Sequence, residues 1–377
     1  MTTIATESAV SLRTRILDAA ERGAHLRIVG RGTWLDANRP VANAEPLSTR
    51  DLSGITDYVP GDLTLTARAG TTFAELRAAT EANRQWLALD PYGSDEGTLG
   101  ATLATASAGP LRTYFGGPRD LTLGVEFVTG AGVIARGGGR VVKNVAGYDI
   151  TRLMIGAWGT LGVITEVTVR LHARPAADES FAVDVDSQAG AGEVRTLLRR
   201  LPFKPYACEV VNGSLARALT GSAAAQALFR LGGNAEAVKA QRAALIELGT
   251  VRDVDPSVWA RLRTIEPADA VVFRLSALPS SMDATWREAT SIVASASNAL
   301  VHATPALGIV RCIVPTADRD PTPVLAGLAG VKSTLIAERL PAGAWSGRGA
   351  IPDALSRRVK AAFDPNDRLN PGIFGGM

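Results

Sequence analysis

The sequence has 377 residues, 46% of them apolar and 20% charged, which is the composition of a folded protein long enough for two domains. The net charge is only +3 and no block of basic residues occurs, so the sequence lacks the basic patch that is typical of a nucleic-acid-binding protein. No apolar run approaches the ~18 residues of a membrane helix, and residues 1–10 do not resemble a signal peptide.

Short helices and strands are predicted along the first part of the chain. Residues 11–22 have the spacing of an amphipathic helix, and residues 26–30 form a strand that runs into a glycine turn. Residues 62–69 alternate as a strand, and residues 72–83 are predicted to form a helix with a threonine at its N-cap.

The composition changes near residue 175, where glycine turns become fewer and alanine-rich helices more frequent. Helices are predicted at 193–200 and 235–248, with strands between them at 181–185, 270–275 and 308–314. This pattern predicts a second α+β domain, an antiparallel sheet covered by helices on one face. The sequence thus predicts three parts: a first domain over 1–175, a second over 176–341, and a C-terminal segment over 342–377 that returns to the first domain.

Four glycine-centred segments occur in the first domain, at residues 29–34, 97–110, 116–120 and 156–164. Glycine lets backbone N–H groups turn towards a ligand and lets a phosphate approach the chain closely. Several such loops in one domain favour a large cofactor that is bound mainly by backbone groups. The alternative is that they are ordinary turns between strands.

Residues 130–135 match the G-x-G-x-x-A dinucleotide fingerprint. That fingerprint requires a helix directly after it, but three glycines at 137–139 would each cost such a helix about 1 kcal/mol. A β-hairpin over residues 125–136 explains the segment better, so a nicotinamide-binding Rossmann domain is not predicted.

The order and spacing of these motifs resemble the FAD-binding family of vanillyl-alcohol oxidase and p-cresol methylhydroxylase, and more narrowly the glycolate oxidase E subunits. The resemblance rests on VKNVAGYD at 142–149, GTLGVI at 159–164, GITDYVPGDL at 54–63, GTLG at 97–100, FDP at 363–365 and LNPG at 369–372. It implies an α+β protein with a p-cresol methylhydroxylase-type FAD-binding domain of two α/β subdomains.

The same resemblance implies which residues bind FAD. The first diphosphate turn corresponds to Val29, Gly30, Arg31, Gly32 and Thr33, the second diphosphate loop to Pro91, Thr98, Leu99, Gly100, Ala101 and Gly109, and the strand edge at the adenosine to Gly162, Val163 and Ile164. The family usually has glycine where this chain has Arg31 and often at Ala101. No histidine lies in the first turn, so the FAD is expected to be non-covalent.

Asn370 belongs to the same family pattern and is predicted to lie near the flavin ring. Pro371 follows it, which favours an extended backbone, and an amide offers both a donor and acceptors to the edge of the ring. The alternative is a helix stop, with Asn370 at a helix C-terminus.

The resemblance implies an FAD-dependent oxidoreductase of the glycolate oxidase or dehydrogenase type, acting on a 2-hydroxy acid. Cys208 and Cys312 are too few to hold an iron–sulfur cluster, so electrons are expected to pass to a partner flavin subunit and an iron–sulfur subunit. The expected location is cytoplasmic, or peripheral at the inner face of the membrane through these partners. Two alternatives stay open: a self-sufficient FAD oxidase, and a flavin-binding assembly module without a redox role.

No catalytic base and no metal ligands are predicted. Glycolate-oxidising flavin subunits of the resembled complex have histidine-rich, metal-binding second domains, whereas this chain has only three scattered histidines. His302 stands in an apolar strand without a carboxylate near it in sequence, which favours a structural role. Arg274, Arg311 and Tyr114 are candidate partners for a substrate carboxylate.

Overall fold

The computed structural model describes residues 8–33, 39–41, 43–139, 149–317, 320–345 and 353–374. Residues 142–148, the centre of the VKNVAGYD motif, lie outside these ranges. Within them, no helix has the length and apolarity needed to cross a bilayer.

The first domain contains nine strands and six helices in the described ranges. The strands are β1 His25–Val29, β2 Ala44–Ser48, β3 Ile55–Val59, β4 Thr64–Arg68, β5 Gln85–Trp86, β6 Thr122–Val128, β7 Ile134–Gly138, β8 Val163–Arg170 and β9 His172–Ala173. The helices are α1 Ala9–Glu21, α2 Phe73–Glu81, α3 Leu99–Thr105, α4 Arg112–Phe115, α5 Pro118–Leu121 and α6 Ile150–Met154.

These strands form two main units. β1 and β2 make a small parallel pair, and a five-stranded antiparallel sheet has the order β3-β4-β8-β6-β7. β5 and β9 pair separately at the end of the domain. α1 closes one side of β1 because Leu12, Ile16 and Ala19 share one buried face of the helix.

Local sequence signals explain several of these elements. Ser8 and Ser11 form a capping box at the start of α1, and Thr72 and Glu75 form one at the start of α2. The predicted hairpin is confirmed: β6 and β7 pair antiparallel, with Val128 opposite Ile134. The residues at the end of the G-x-G-x-x-A match and directly after it form β7, Ile134–Gly138, and not a helix, because the glycines of the match lie in the turn of the hairpin.

The second domain is built on an eight-stranded antiparallel sheet of order β13-β10-β12-β11-β15-β16-β14-β17. Its strands are β10 Ala177–Asp184, β11 Ala207–Val211, β12 Gln226–Gly233, β13 Arg252–Asp253, β14 Val271–Ser276, β15 Leu300–Thr304, β16 Ile309–Val314 and β17 Thr334–Arg339. Its helices are α7 Gly190–Arg200, α8 Gly213–Thr220, α9 Ala235–Ala244, α10 Val258–Thr264, α11 Met282–Ile292 and α12 Thr322–Gly327.

The two faces of this sheet differ in chemistry. Alternate residues such as Cys208 and Val210 join the main core beneath α7, α9, α11 and α12. The opposite face, here called the inner face, packs α8 and α10 at one end around Ala207 and Val211. The helix-covered antiparallel sheet is confirmed, but the prediction of helices on one face alone was wrong. Beyond α8 and α10 the inner face carries charged residues, among them Glu209 and Arg311.

The C-terminal segment packs on the first domain. α13 spans Ala354–Phe363, and the carbonyl oxygen of Phe363 accepts a hydrogen bond from the backbone N–H of Gly130. The tail then runs beside β1, where Leu369 forms a parallel bridge with Leu26. The tail therefore becomes part of the wall around the end of β1. The domain boundaries at 175 and 341 remain predictions.

Candidate functional site

A solvent-open cleft of about 140 Å³ lies beside the end of β1. It lies where the turn after β1, the start of α3, the start of β8 and the C-terminal tail meet. Its walls include these predicted residues: Val29, Gly30, Arg31, Gly32, Thr33, Thr98, Gly100, Ala101, Gly162, Val163, Ile164 and Asn370. The structure thus brings together residues that are up to about 340 positions apart in sequence.

The turn after β1 depends on its glycines for two different reasons. A Cβ atom on Gly30 would lie 2.6 Å from Oγ1 of Thr98, so only glycine lets the two cleft loops approach each other. Gly32 has φ +78°, in the left-handed region. Arg31 does not adopt a positive φ, so the turn accepts a side chain there, and its guanidinium pairs with Glu96 at 2.7 Å.

The start of α3 forms the second wall. Thr98 is the N-cap, and its Oγ1 accepts a hydrogen bond from the N–H of Ala101 at 3.4 Å. Gly100 lines the cleft, but a Cβ atom there would lie 2.6 Å from the Cβ of Ala69, inside the protein. Packing against Ala69 therefore requires glycine here even without a ligand, and the role of Gly100 at the diphosphate stays a prediction. The exposed side chain of this segment at the cleft is that of Ala101.

The start of β8 forms the third wall of the cleft, and its residues also pack in the hydrophobic core. A Cβ atom on Gly162 would lie 2.7 Å from the ring of Phe127, so the strand packs closely on β6. Val163 is buried in the cluster around α1, and Ile164 in the core of the five-stranded sheet. Their role in holding an adenosine stays a prediction, since core packing alone accounts for both side chains.

Asn370 reaches the cleft in a different manner from the one predicted. Its Oδ1 accepts a hydrogen bond from the N–H of Ile28 at 2.8 Å, and its Nδ2 donates to the carbonyl oxygen of Trp158 at 2.6 Å. Its φ is +47°, so the expected extended conformation was wrong. The helix-stop alternative was also wrong, because α13 ends seven positions earlier at Phe363. Two specific side-chain bonds outweigh the local preference imposed by Pro371.

Three predicted residues do not line the cleft. Leu99 is fully buried in the core. Gly109 packs against Asp90, whose carbonyl oxygen would lie 2.3 Å from a Cβ atom at this position. The carbonyl oxygen of Pro91 accepts a hydrogen bond from Nε of Arg263 at 2.7 Å, a contact with the second domain. These three residues therefore pack inside the protein or against the second domain, and not at the cleft.

Sequence reasoning missed Arg39 and Trp158. The guanidinium of Arg39 lies 4.0 Å from the ring centre of Trp158 and 4.5 Å from that of Trp345. Burial lowers the pKa of Arg39 to about 10, partly offset by Glu338, so the group stays cationic at neutral pH. Trp158 lies within the fourth glycine-centred segment, residues 156–164, so the sequence had marked its surroundings as a candidate site. Arg39 is a single arginine outside any motif, so nothing in the sequence pointed to it.

The charges around the cleft suit a polyanion. Arg27, Arg31 and Arg39 line it, and no aspartate or glutamate is found among its described lining residues. Arg31 is paired with Glu96, which lies outside this lining. The same lining contains no histidine, tyrosine or cysteine, the side chains through which a protein could form a covalent bond to a flavin. Glycine turns, cations and an apolar strand edge fit a dinucleotide.

A second group of polar residues lies on the inner face of the eight-stranded sheet. His302 Nδ1 is 2.7 Å from Oε2 of Glu209, and Oγ1 of Thr304 donates to Oε1 of Glu209 at 2.6 Å. All three side chains are buried. The carboxylate beside His302 is distant in sequence, so it was not predicted. Nε2 of His302 has no hydrogen-bond partner among the described residues.

Arg311, beside this group, is already neutralised. It forms ion pairs with Glu266 and with Glu338, the latter at 2.6 Å. Burial opposes the charged form, but Glu338 and Glu266 outweigh it and raise the pKa of Arg311. Its guanidinium stacks 4.0 Å from the ring centre of Tyr92, from the first domain.

The other two candidate carboxylate partners differ from Arg311. Arg274 Nε lies 3.9 Å from Glu338 and is buried without a hydrogen bond in the described part of the chain. Tyr114 is exposed and packs on Phe115 and Tyr206.

The chain is similar in sequence to flavin-linked oxidoreductases. Residues 3–138 match the family model described as FAD binding domain. The chain is 41% identical to glycolate oxidase subunit GlcE of Escherichia coli over 171 residues, 45% of this chain and 48% of that protein. It is 33% identical to glycolate oxidase subunit GlcD of Bacillus subtilis over 136 residues, 36% of this chain and 29% of that protein. The chain thus spans about half or less of the length of these relatives.

Solved structures share the fold across almost the whole chain. The 4-ethylphenol oxidase from Gulosibacter chungangensis has a TM-score of 0.73 at 16% identity, over 99% of this chain and 88% of that chain. p-Cresol methylhydroxylase has a TM-score of 0.70 at 16% identity, with the same coverage. The predicted fold class is confirmed. Residues 3–138 thus resemble an FAD-binding domain, in a chain with the fold of p-cresol methylhydroxylase.

Proposed function

We propose that this chain is the FAD-binding subunit of a glycolate-type 2-hydroxy acid oxidase or dehydrogenase complex. It is an FAD-dependent oxidoreductase of CH–OH donors that holds FAD non-covalently and passes electrons to partner subunits. The observation that carries the proposal is the cleft beside β1, where glycine turns and three arginines meet in a chain similar to glycolate oxidase subunits.

Different residues of the cleft bind different parts of the FAD. The backbone comes close to the FAD diphosphate at two places, the turn at residues 30–32 and the start of α3 at Ala101. Arg27 and Arg31 supply positive charge there. Val163 and Ile164 offer an apolar edge to the adenosine half. Asn370 ties the tail to β1 and so fixes the shape of this wall. Bound FAD supplies the oxidant that accepts two electrons from the alcohol carbon.

The electron route requires partners. The two cysteines of the chain, Cys208 and Cys312, are buried in the second domain, and burial raises the pKa of both thiols. They lie in the core beneath the helices, where they serve packing. Electrons therefore leave to a glycolate oxidase-type flavin subunit and an iron–sulfur subunit, at the cytoplasmic face of the membrane or in the cytoplasm.

One observation favours a second candidate function, oxidation of the hydroxy acid by this chain alone. Glu209 binds Nδ1 of His302, while Nε2 of His302 is buried without a hydrogen-bond partner in the described residues. A general base needs such an oriented imidazole with one free nitrogen to accept the proton of the substrate hydroxyl. Arg311 weighs against it, because Glu266 and Glu338 already neutralise the guanidinium that a substrate carboxylate would need.

Anaerobic spectra distinguish these functions. The chain is purified alone and with its partner subunits, and the visible absorbance of the flavin is followed after glycolate is added. Bleaching of this chain's flavin only in the complex supports the subunit function. Bleaching in the isolated chain, lost in His302→Ala but kept in Arg22→Gln at an exposed ion pair, supports the self-sufficient enzyme. A flavin that stays oxidised throughout turnover of the complex rejects both and leaves an assembly module.

A further inference from the structure

A second cavity, of about 290 Å³, lies at the junction of the two domains and shares no lining residue with the cleft. We call it the junction cavity. The first domain contributes Trp86 and Arg174 to it, and the second contributes Arg230 and Trp259. Its volume is near the lower end of the ~300–1,000 Å³ range of ligand pockets, which points to a small ligand.

The junction cavity carries an excess of positive charge. Four arginines line it: Arg77, Arg174, Arg230 and Arg263. Arg77 and Arg263 share the carboxylate of Asp95, at 2.8 and 3.0 Å, and Arg230 pairs with Asp178 at 2.6 Å. Two carboxylate groups therefore form ion pairs with three of the four guanidinium groups.

Arg174 is the fourth guanidinium, and it forms no ion pair with any residue that the structure describes. Burial lowers its pKa, and repulsion from Arg77 and Arg230 lowers it further, while attraction to Glu81 and Asp178 offsets part of this effect. An anion entering the cavity would relieve this repulsion.

The acidic residue in the lining, Asp90, offers little compensation. It is buried, and its carboxylate accepts a hydrogen bond from the N–H of Leu111 at 3.1 Å. Burial raises its pKa to about 7, against the effects of Leu111, Arg263 and Arg230, so its charge is incomplete at neutral pH. Asp90 alone therefore does not neutralise the four guanidinium groups of the lining.

Trp86 adds a hydrogen-bond donor and a flat apolar surface. Its Nε1 is buried and has no partner in the described part of the chain, and an unsatisfied buried donor costs ~1–3 kcal/mol. The guanidinium groups of Arg174 and Arg230 lie 5.3 and 5.2 Å from its ring centre. The indole N–H of Trp259, by contrast, is bonded to Ser180 at 2.9 Å, so Trp259 contributes its ring alone.

We propose that the junction cavity is a binding site for a small aromatic carboxylate, separate from the flavin cleft. The carboxylate accepts hydrogen bonds from the guanidinium of Arg174 and the indole N–H of Trp86. The ring of the ligand packs on Trp259 and on the apolar side chains Phe73, Leu76, Leu89 and Leu111. Because both domains contribute, the ligand stabilises their junction. This proposal does not rest on the proposed function.

The test uses the full-length chain and 4-fluorobenzoate as the probe, followed by fluorine NMR and by the melting temperature. We expect 4-fluorobenzoate to bind and raise the melting temperature, and neutral 4-fluorobenzamide to bind at least tenfold more weakly. Arg174→Gln should weaken benzoate binding about tenfold, and Trp86→Phe, which keeps a ring but removes the donor, several-fold. Arg22→Gln, at an exposed ion pair with Glu45, is the matched control and should leave the affinity unchanged.

A crystal structure with 4-bromobenzoate keeps the test decisive if a variant fails to fold, since bromine can be located by its anomalous signal. Bromine between Trp86 and Trp259 supports the proposal. Water alone in the cavity, bromine elsewhere, or equal affinities for the acid and the amide would overturn it. Unchanged benzoate affinity in both Arg174→Gln and Trp86→Phe would overturn it as well.

Discussion

His302 and Glu209 are 93 positions apart in sequence, yet Nδ1 of His302 lies 2.7 Å from Oε2 of Glu209 in the buried inner face of the second sheet. The contact is possible because β11 and β15 are neighbours, with Val211 opposite His302. Glu209 also accepts the hydroxyl of Thr304. One carboxylate thus satisfies two buried polar side chains, and removing its charge should be costly.

Glu209→Gln tests this relationship. One carboxylate oxygen becomes an NH₂ group that faces a donor, so we expect the free energy of unfolding to fall by about 2–3 kcal/mol. FAD affinity should stay within twofold, because neither Glu209 nor His302 lines the cleft. Urea denaturation and flavin titration measure the two quantities. An equally stable variant would show that the pair contributes nothing to folding, and a large loss of FAD affinity would place the pair in the flavin site.

The purified chain should be yellow and should release its FAD on acid or heat denaturation. The reason is the absence of a histidine in the first turn and of histidine, tyrosine and cysteine among the described cleft residues. Absorbance and mass of the supernatant after acid precipitation measure the release. Flavin that remains in the precipitated protein, or a colourless chain that takes up no FAD, contradicts the prediction.

Ala101→Glu should abolish FAD binding without unfolding the protein. The side chain of Ala101 is exposed at the cleft, so a carboxylate there repels a diphosphate, and we expect affinity to fall at least 100-fold. Ala101→Ser is the control of similar size and should bind normally. Fluorescence titration of the FAD-free chain gives the affinities. Normal FAD affinity in Ala101→Glu would move the diphosphate to another site.

Gly100→Ala provides the contrast at the neighbouring position. Its added methyl group would meet Ala69 rather than the cleft, so we expect a loss of stability and not a specific loss of FAD affinity in the folded fraction.

Asp90→Asn should change how stability depends on pH. The carboxyl has an ordinary pKa of 3.8 in the unfolded chain, and burial raises it to about 7 in the folded protein. Between these pH values the folded protein holds a proton that the unfolded chain has lost, so its stability falls as the pH rises from about 4 to about 7. Asparagine removes that dependence and keeps an acceptor for the N–H of Leu111. Going from pH 4 to pH 8, the variant should gain about 2–4 kcal/mol relative to the wild type. Parallel stability curves for the two proteins would contradict the raised pKa.

What the sequence predicted correctly is local. The hairpin of β6 and β7 follows from glycine positions and alternation, and the start of α2 follows from a threonine N-cap. The glycine turn after β1 was found for the same reason, since Gly32 has the positive φ that few other residues adopt.

What it did not predict depends on contacts between distant residues. Asn370 bonds to Ile28 across 342 positions, and this bond, with that to Trp158, holds Asn370 in a left-handed conformation that a local rule excludes. The packing of Gly100 on Ala69 was invisible for the same reason, so its glycine was attributed to a ligand.

Arg39 joins three parts of the chain at the edge of the cleft. Its guanidinium lies between Trp158 and Trp345 and donates to the carbonyl oxygens of Ala337 at 2.7 Å and of Ile373 at 3.4 Å. Ala337 belongs to the second domain and Ile373 to the tail, so one side chain connects the cleft wall with both. A planar guanidinium suits this position because it can stack on two rings while it donates to two carbonyl groups.

Arg39→Ala should therefore reduce both stability and FAD affinity. We expect the free energy of unfolding to fall by about 2–4 kcal/mol, because two bonds and two ring contacts disappear together. FAD affinity should fall about tenfold, through the lost cation and the loosened wall. Arg39→Lys keeps the charge but not the planar stacking, so it should recover more of the FAD affinity than of the stability. Arg22→Ala, on the exposed surface, is the control. If Arg39→Lys instead restores stability fully, then charge and not stacking holds these three parts together.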